Sequence, residues 1–171
     1  MDALEVFELA KSLQSDITRL GFSNEDLRQS NMKKPLFSEF VLDEDLKAKT
    51  ERLFIDGHYA RAVEEAYKYI DNLVKRRVHG LCNATSGANL MRTALSLNKP
   101  ILMLNANLTE IDTDEQKGYM DIFAGCMTGI RNPRAHDTDL EDEREYALKL
   151  LSWADHLVFR VKNAKVINNS D

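Results

Sequence analysis

Apolar residues recur at steps of three and four through most of this chain, which is the period of helices rather than strands. Val6, Ala10, Leu13, Ile17 and Leu20 fall on one face and predict a helix over residues 2–20, stopped at Gly21. Residues 21–43 lose the period. The apolar run 35–42 is short and reads as an extended segment lying over a bundle. Asp43, Glu44 and Asp45 then place acids where a helix N-terminus favours them, and Leu46, Thr50, Leu53 and Phe54 share the face that follows. Asp56-Gly57 interrupts. A longer helix runs to about Val78 and buries Ala60, Val63, Ala66, Tyr67, Ile70, Leu73 and Val74, with His79-Gly80 as its stop.

Ser86 suits the N-cap of a short helix ending at Leu95, and Asn98-Lys99-Pro100 breaks the chain again. Residues 101–104 read as a buried connector and 105–112 as a loop. Thr113 with Gln116 has capping-box spacing. The helix it predicts carries Tyr119, Ile122, Phe123, Cys126, Met127 and Ile130 on one face. Gly118, Gly125 and Gly129 lie on another. Gly125 and Gly129 are four apart, so they admit the close approach of a second helix or an RNA strand, or mark a tight crossing within the chain. Thr138 with Glu141 predicts a second capping box, and residues 139–162 the clearest helix, with Tyr146, Ala147, Leu150, Leu151, Ala154, Leu157, Val158 and Val161 inward. The class is all-α, with an accessory helix and connecting segment over 1–45 and a helical domain over 46–165.

The chemistry concentrates between those two helices, in Arg131-Asn132-Pro133-Arg134-Ala135-His136. On a continuous helix Arg131 and His136 would point about 140° apart. Pro133 lacks an N–H and disfavours a helical Asn132, so a corner is expected here, with both side chains aimed at one cleft. Arginine holds phosphate oxygens bidentately, and histidine exchanges a proton near neutral pH. Together they are what phosphodiester cleavage needs. The plainer alternative is a solvent-facing turn in which Arg131 offsets the carbonyl end of its helix.

At these residues the chain resembles the R-x(4–6)-H motif of HEPN domains. The likeness continues in residues 57–66, 87–91 and 125–136, which resemble the Ymh-type branch of that family, and it covers roughly residues 50 to 162. The resemblance implies an antiparallel helical bundle, usually dimeric, that cleaves RNA without a metal or other cofactor through sites shared by two subunits. The ribose 2′-hydroxyl would attack, leaving a cyclic phosphate and a 5′-hydroxyl. Arg131 would stabilise the phosphorane, His136 act as general acid or base, Asn132 orient the site and Arg134 help bind the substrate. A toxin or anti-phage role, with a cognate antitoxin or regulator as a further partner, follows from the same likeness. Some HEPN domains only bind nucleotides or mediate dimerisation, so a non-catalytic binding module is the alternative.

Composition narrows the field. Net charge is −5, against a general nucleic-acid coat protein but compatible with a local basic cleft. Lys75-Arg76-Arg77 is one candidate patch, with a solvated helix C-terminus as the alternative. No apolar run approaches a membrane span and the first residues lack a basic leader, so a cytoplasmic protein is expected. Cys82 and Cys126 then read as reduced, buried thiols. The four histidines, at 58, 79, 136 and 156, lack ligand spacing, which disfavours a metallohydrolase. His58 and His79 read as surface or capping residues, His156 as structural, and Glu64 and Glu65 as solvent-facing or as helpers beside the cleft.

Overall fold

The computed structural model describes residues 36–79, 86–106 and 108–167, together with Lys11. The helix expected over 2–20 and Cys82 therefore lie outside the described residues. The chain divides into two compact units, Met1–Leu36 and Phe37–Asp171, so residues 37–45 belong with the unit that carries the motif. Within it come α1 (Glu44–Ile55), α2 (Tyr59–Arg77), α3 (Gly87–Ala94), β1 (Leu102–Met103), α4 (Glu110–Cys126), a π turn (Met127–Arg131), α5 (Asn132–His136), α6 (Arg144–Asn163) and β2 (Lys165–Val166). This is the expected all-α bundle, built around α2, which packs against α1, α3, α6, the π turn and α5.

The helical period placed most of the core; Tyr146, expected inward, is instead 52% exposed beside the Arg134 guanidinium, and Leu150 is half-buried. Leu46, Thr50 and Phe54 are buried on α1, Val63, Ala66, Tyr67, Ile70, Leu73 and Val74 on α2, and Ala147, Leu151, Ala154, Leu157, Val158 and Val161 on α6. The acids before α1 act as expected: Asp43 is its N-cap, its carboxylate accepting from the Leu46 N–H at 3.0 Å.

Several local expectations are corrected. Residues 36–40 are helical rather than extended, because Phe37 and Val41 are both core residues and four residues of helix put them on one side. The box before α4 is Thr109 with Asp112, not Thr113 with Gln116. The Thr109 hydroxyl accepts from the Asp112 N–H at 3.1 Å, and the Asp112 carboxylate accepts from the Thr109 N–H at 3.2 Å. Gln116 is instead buried, where its amide donates to the Leu95 and Leu102 carbonyls and accepts from the Leu104 N–H. One side chain thus satisfies the backbone of the connector. That connector also contains a short strand: Leu102 pairs with Val166 and Met103 with Lys165, antiparallel. The box expected at Thr138 and Glu141 is absent, and α6 starts later, with Glu143 at its N-cap.

Two bridges tie α6 to its surroundings. One oxygen of Asp155 accepts the Leu42 and Asp43 N–H groups, both at 2.8 Å. His156 bonds the Tyr119 hydroxyl of α4 at 2.7 Å and stacks on Trp153, while Arg160 lies over the Tyr119 ring and pairs with Glu115. His156 is therefore structural, as read. His58 and His79 are exposed. Of the basic run closing α2, Arg77 donates to the Lys162 and Ala164 carbonyls, and Arg76 lies over the Tyr69 ring. It behaves as a helix terminus.

Glu64 was expected in solvent but is 4% exposed, held by Arg61 and Lys68 on its own helix. Burial pushes its carboxyl up, yet Lys68 and Arg61 outweigh that and hold it below its ordinary value near 4.5. A depressed carboxyl contributes stability above the unfolded-state pKa and loses it as pH falls through the folded one. Thermal melts from pH 7 to pH 3 should therefore show Tm falling below about pH 4.5, with a shallower slope in Glu64→Gln. An unchanged slope in that variant would remove Glu64 from the account.

Candidate functional site

The corner expected at Pro133 does not form. α4, the π turn and α5 follow one another without a break, and Arg131 (φ −70°, ψ −49°) and Asn132 (φ −61°, ψ −43°) are both helical. The π turn makes this possible. The Asn132 N–H reaches back five residues to the Met127 carbonyl, widening the helix just before the proline ring has to fit. Proline is also best tolerated in the first turn of a helix, and Pro133 stands there in α5.

Arg134 locks this geometry. Its Nε and Nη2 make a bidentate pair with Asp142, each at 2.7 Å, and its Nη1 donates to the Ile130 carbonyl at 2.8 Å. The Tyr146 ring lies 5.8 Å from the guanidinium. The two charged side chains are only 5% and 4% exposed. Burial alone would lower the arginine's pKa, but Asp142 overcomes it and keeps the group above its usual value. Arg134 is thus an internal clamp, and the substrate contact expected of it is replaced by a structural one. Asp142, in the segment leading into α6, is its partner. The signal that was available is the eight-residue spacing of opposite charges across a turn, which many surface pairs share.

The other three residues are left open. Among the described residues, no hydrogen bond or ion pair engages the side chains of Arg131, Asn132 or His136. His136 is exposed, Asn132 and Arg131 are half-buried, and the Arg131 Nε is shielded from solvent without an acceptor. The Nε atoms of Arg77, Arg144 and Arg160 are in the same state, so this feature alone does not single out Arg131. Asn132 and His136 are four residues apart and share a face of α5. Arg131 and His136 are five apart on uninterrupted helix, so they diverge by about 140° within one chain.

Beside them runs an unobstructed strip. Gly118, Gly125 and Gly129 are exposed, and a Cβ added at any of them would meet nothing within 4 Å. Among the described residues, no crossing uses this stripe. Ile122, Trp153 and Tyr146, exposed by 36%, 39% and 52%, lie on the same two helices, α4 and α6. Cys126 faces inward and is buried, which raises its thiol pKa and makes it unreactive.

The protein is thus a helical bundle that presents an arginine, an asparagine and a histidine unpaired at a π-to-α junction. It belongs to the Hypoth_Ymh family, described as a protein of unknown function, whose match covers residues 41–161. No curated protein and no solved structure matches the chain. No helix among the described residues is long and apolar enough to cross a membrane.

Proposed function

We propose that this protein is a metal-independent endoribonuclease of the HEPN type, acting as a homodimer with Arg131, Asn132 and His136 in a shared cleft. The observation that carries the reading is that these three side chains are free while their neighbour Arg134 is fixed by Asp142. A site that must receive a phosphodiester keeps its donors unpaired and its backbone rigid. In the reaction the ribose 2′-oxygen attacks the adjacent phosphorus and the bond to the 5′-oxygen breaks. His136 takes the proton from the attacking oxygen or supplies one to the leaving oxygen. Arg131 holds the negative charge of the phosphorane, and Asn132 orients the group by hydrogen bonding. The products are a cyclic phosphate and a 5′-hydroxyl. Such an enzyme acts in the cytoplasm, where it suits a toxin or anti-phage effector held in check by an antitoxin or other regulator.

The angle between the two residues supports the dimer. Since Arg131 and His136 diverge within a chain, a second copy lying along the open glycine strip supplies the complement. Mixing decides this. Arg131→Ala and His136→Ala proteins, each inactive, should recover about a quarter of wild-type RNA cleavage after co-refolding, because half the dimers are mixed and each has one intact site. Recovery of nothing, with mixed dimers verified, would place both residues in one subunit. Gly125→Leu with Gly129→Leu should yield a folded monomer by light scattering.

The acidic net charge favours a second reading, a nucleotide-binding module without turnover. Saturable nucleotide binding by a protein that leaves RNA intact, and retains that binding in His136→Ala, would select it.

A further inference from the structure

A groove of about 560 Å³ runs along the outer side of α6, on residues distinct from the arginine–histidine motif. Its floor is a stripe of α6 from Ser152 through His156 and Phe159 to Asn163, and its wall is residues 39–43. Eleven helical steps make that floor about 16 Å long, the length of three turns. Three large apolar side chains stand open in it: Phe40 at 46%, Leu42 at 65% and Phe159 at 60% exposure. Apolar groups gathered at one place and rimmed by charge mark an interaction surface.

The rim is acidic. Glu39, Asp43 and Asp155 line the groove against a single lysine, Lys162. Lys162 is already taken, pairing with Asp43 at 2.6 Å and with Asp45 at 2.8 Å, and both carboxylates raise its pKa. Glu39 is exposed and, among the described residues, has no partner. Asp155 uses one carboxylate oxygen on the Leu42 and Asp43 amides, and among the described residues the other has no partner. The groove therefore offers three open apolar side chains, Phe40 and Leu42 on its wall and Phe159 on its floor, and a negative edge at Glu39 and Asp155.

We infer that this groove receives a basic amphipathic helix of a partner protein, its apolar stripe on Phe40, Leu42 and Phe159 and its lysines or arginines against Glu39 and Asp155. The geometry is that of a helix laid in a groove, anchored at positions i, i+3 or i+4, and i+7. Negative rim charges steer such a partner and give its association a salt dependence. The inference does not depend on whether the motif cleaves RNA.

The test uses the full chain and a labelled leucine–lysine peptide of about 18 residues, patterned to form one apolar face, with a scrambled peptide of equal composition beside it. By fluorescence anisotropy at about 0.15 M salt the patterned peptide should bind at least tenfold more tightly than the scrambled one. Phe159→Glu and Glu39→Lys alter exposed positions, so both should fold, as a thermal melt would check. Each should weaken the patterned peptide by about tenfold. Equal binding of the two peptides, or unchanged binding by both variants, overturns the inference. So does a benzophenone side chain at position 159 that, in the protein alone, cross-links to residues 1–35 of its own chain or to a second copy. Either result gives the groove a different occupant.

Discussion

RNA cleavage by His136→Ala should fall by ~10²–10⁴-fold, with the fold unaltered. Both halves of that expectation come from the same fact. His136 is exposed and engages nothing else in the described chain, so its removal leaves no cavity and no orphaned partner. Substitutions of that kind change stability by about half a kcal/mol or less. Arg131→Ala should lose ~10²–10³-fold through the missing charge stabilisation, and Arg131→Lys should recover only part of it, since an ammonium lacks the planar fork. The measurement is cleavage of a mixed RNA in EDTA, with the ends analysed for cyclic phosphate and 5′-hydroxyl. His136→Ala cleaving within a few-fold of wild type would sink the assignment of the histidine. Loss of activity in EDTA by the wild type would sink the metal-independent mechanism.

Two residues before that histidine, the expected outcome reverses. Arg134→Ala, or Asp142→Ala, should cost ~3–5 kcal/mol of folding stability, because each strands a buried charge whose partner has gone. Urea denaturation would read this as a lower midpoint at unchanged slope. The double change Arg134→Met with Asp142→Leu should cost less than either alanine, since it removes both charges and keeps the volume. The comparison separates the clamp from a substrate contact. A residue needed for RNA would lose activity at constant stability, whereas the clamp loses stability first and activity as the π-to-α junction loosens. Single variants costing under about 1 kcal/mol would show that the pair is not the lock described here.

Periodicity made the helices and their buried faces legible, because the alternation of apolar and polar residues records which side meets the core. Val63, Ala66, Ile70 and Val74 are placed by spacing alone. What spacing could not supply was long-range hydrogen bonding. Gln116 looked like a cap because glutamine three residues after a threonine does cap helices, yet its amide is spent on a connector fourteen residues back in the chain, at Leu102. Glu64 looked solvent-facing because its cations, Arg61 three residues before and Lys68 four after, are legible from spacing but the covering of its carboxylate is not. Thr109 was overlooked as a cap since the loop before it has no period to end. At the motif, the arginine, asparagine and histidine stand open as a candidate site would require, but the backbone expectation failed. Proline's local preference for a break yielded to a π turn, a solution that single-residue propensities do not encode.

That turn has a consequence for comparing relatives. A five-residue hydrogen-bonded loop holds one residue more than the α-helix it interrupts, so Met127–Arg131 is equivalent to an insertion of one residue into a regular helix. Removing that residue would restore regular winding and leave everything downstream near its present phase, whereas rewinding the same residues as regular helix would turn it by about 100°, carrying His136 to another side of the molecule although the count from Arg131 to His136 is unchanged. A relative with the same arginine-to-histidine spacing and a one-residue gap upstream of it would thus present its histidine in nearly the same direction, and one with neither the gap nor the π turn in a different one. The motif's phase is set before the motif begins.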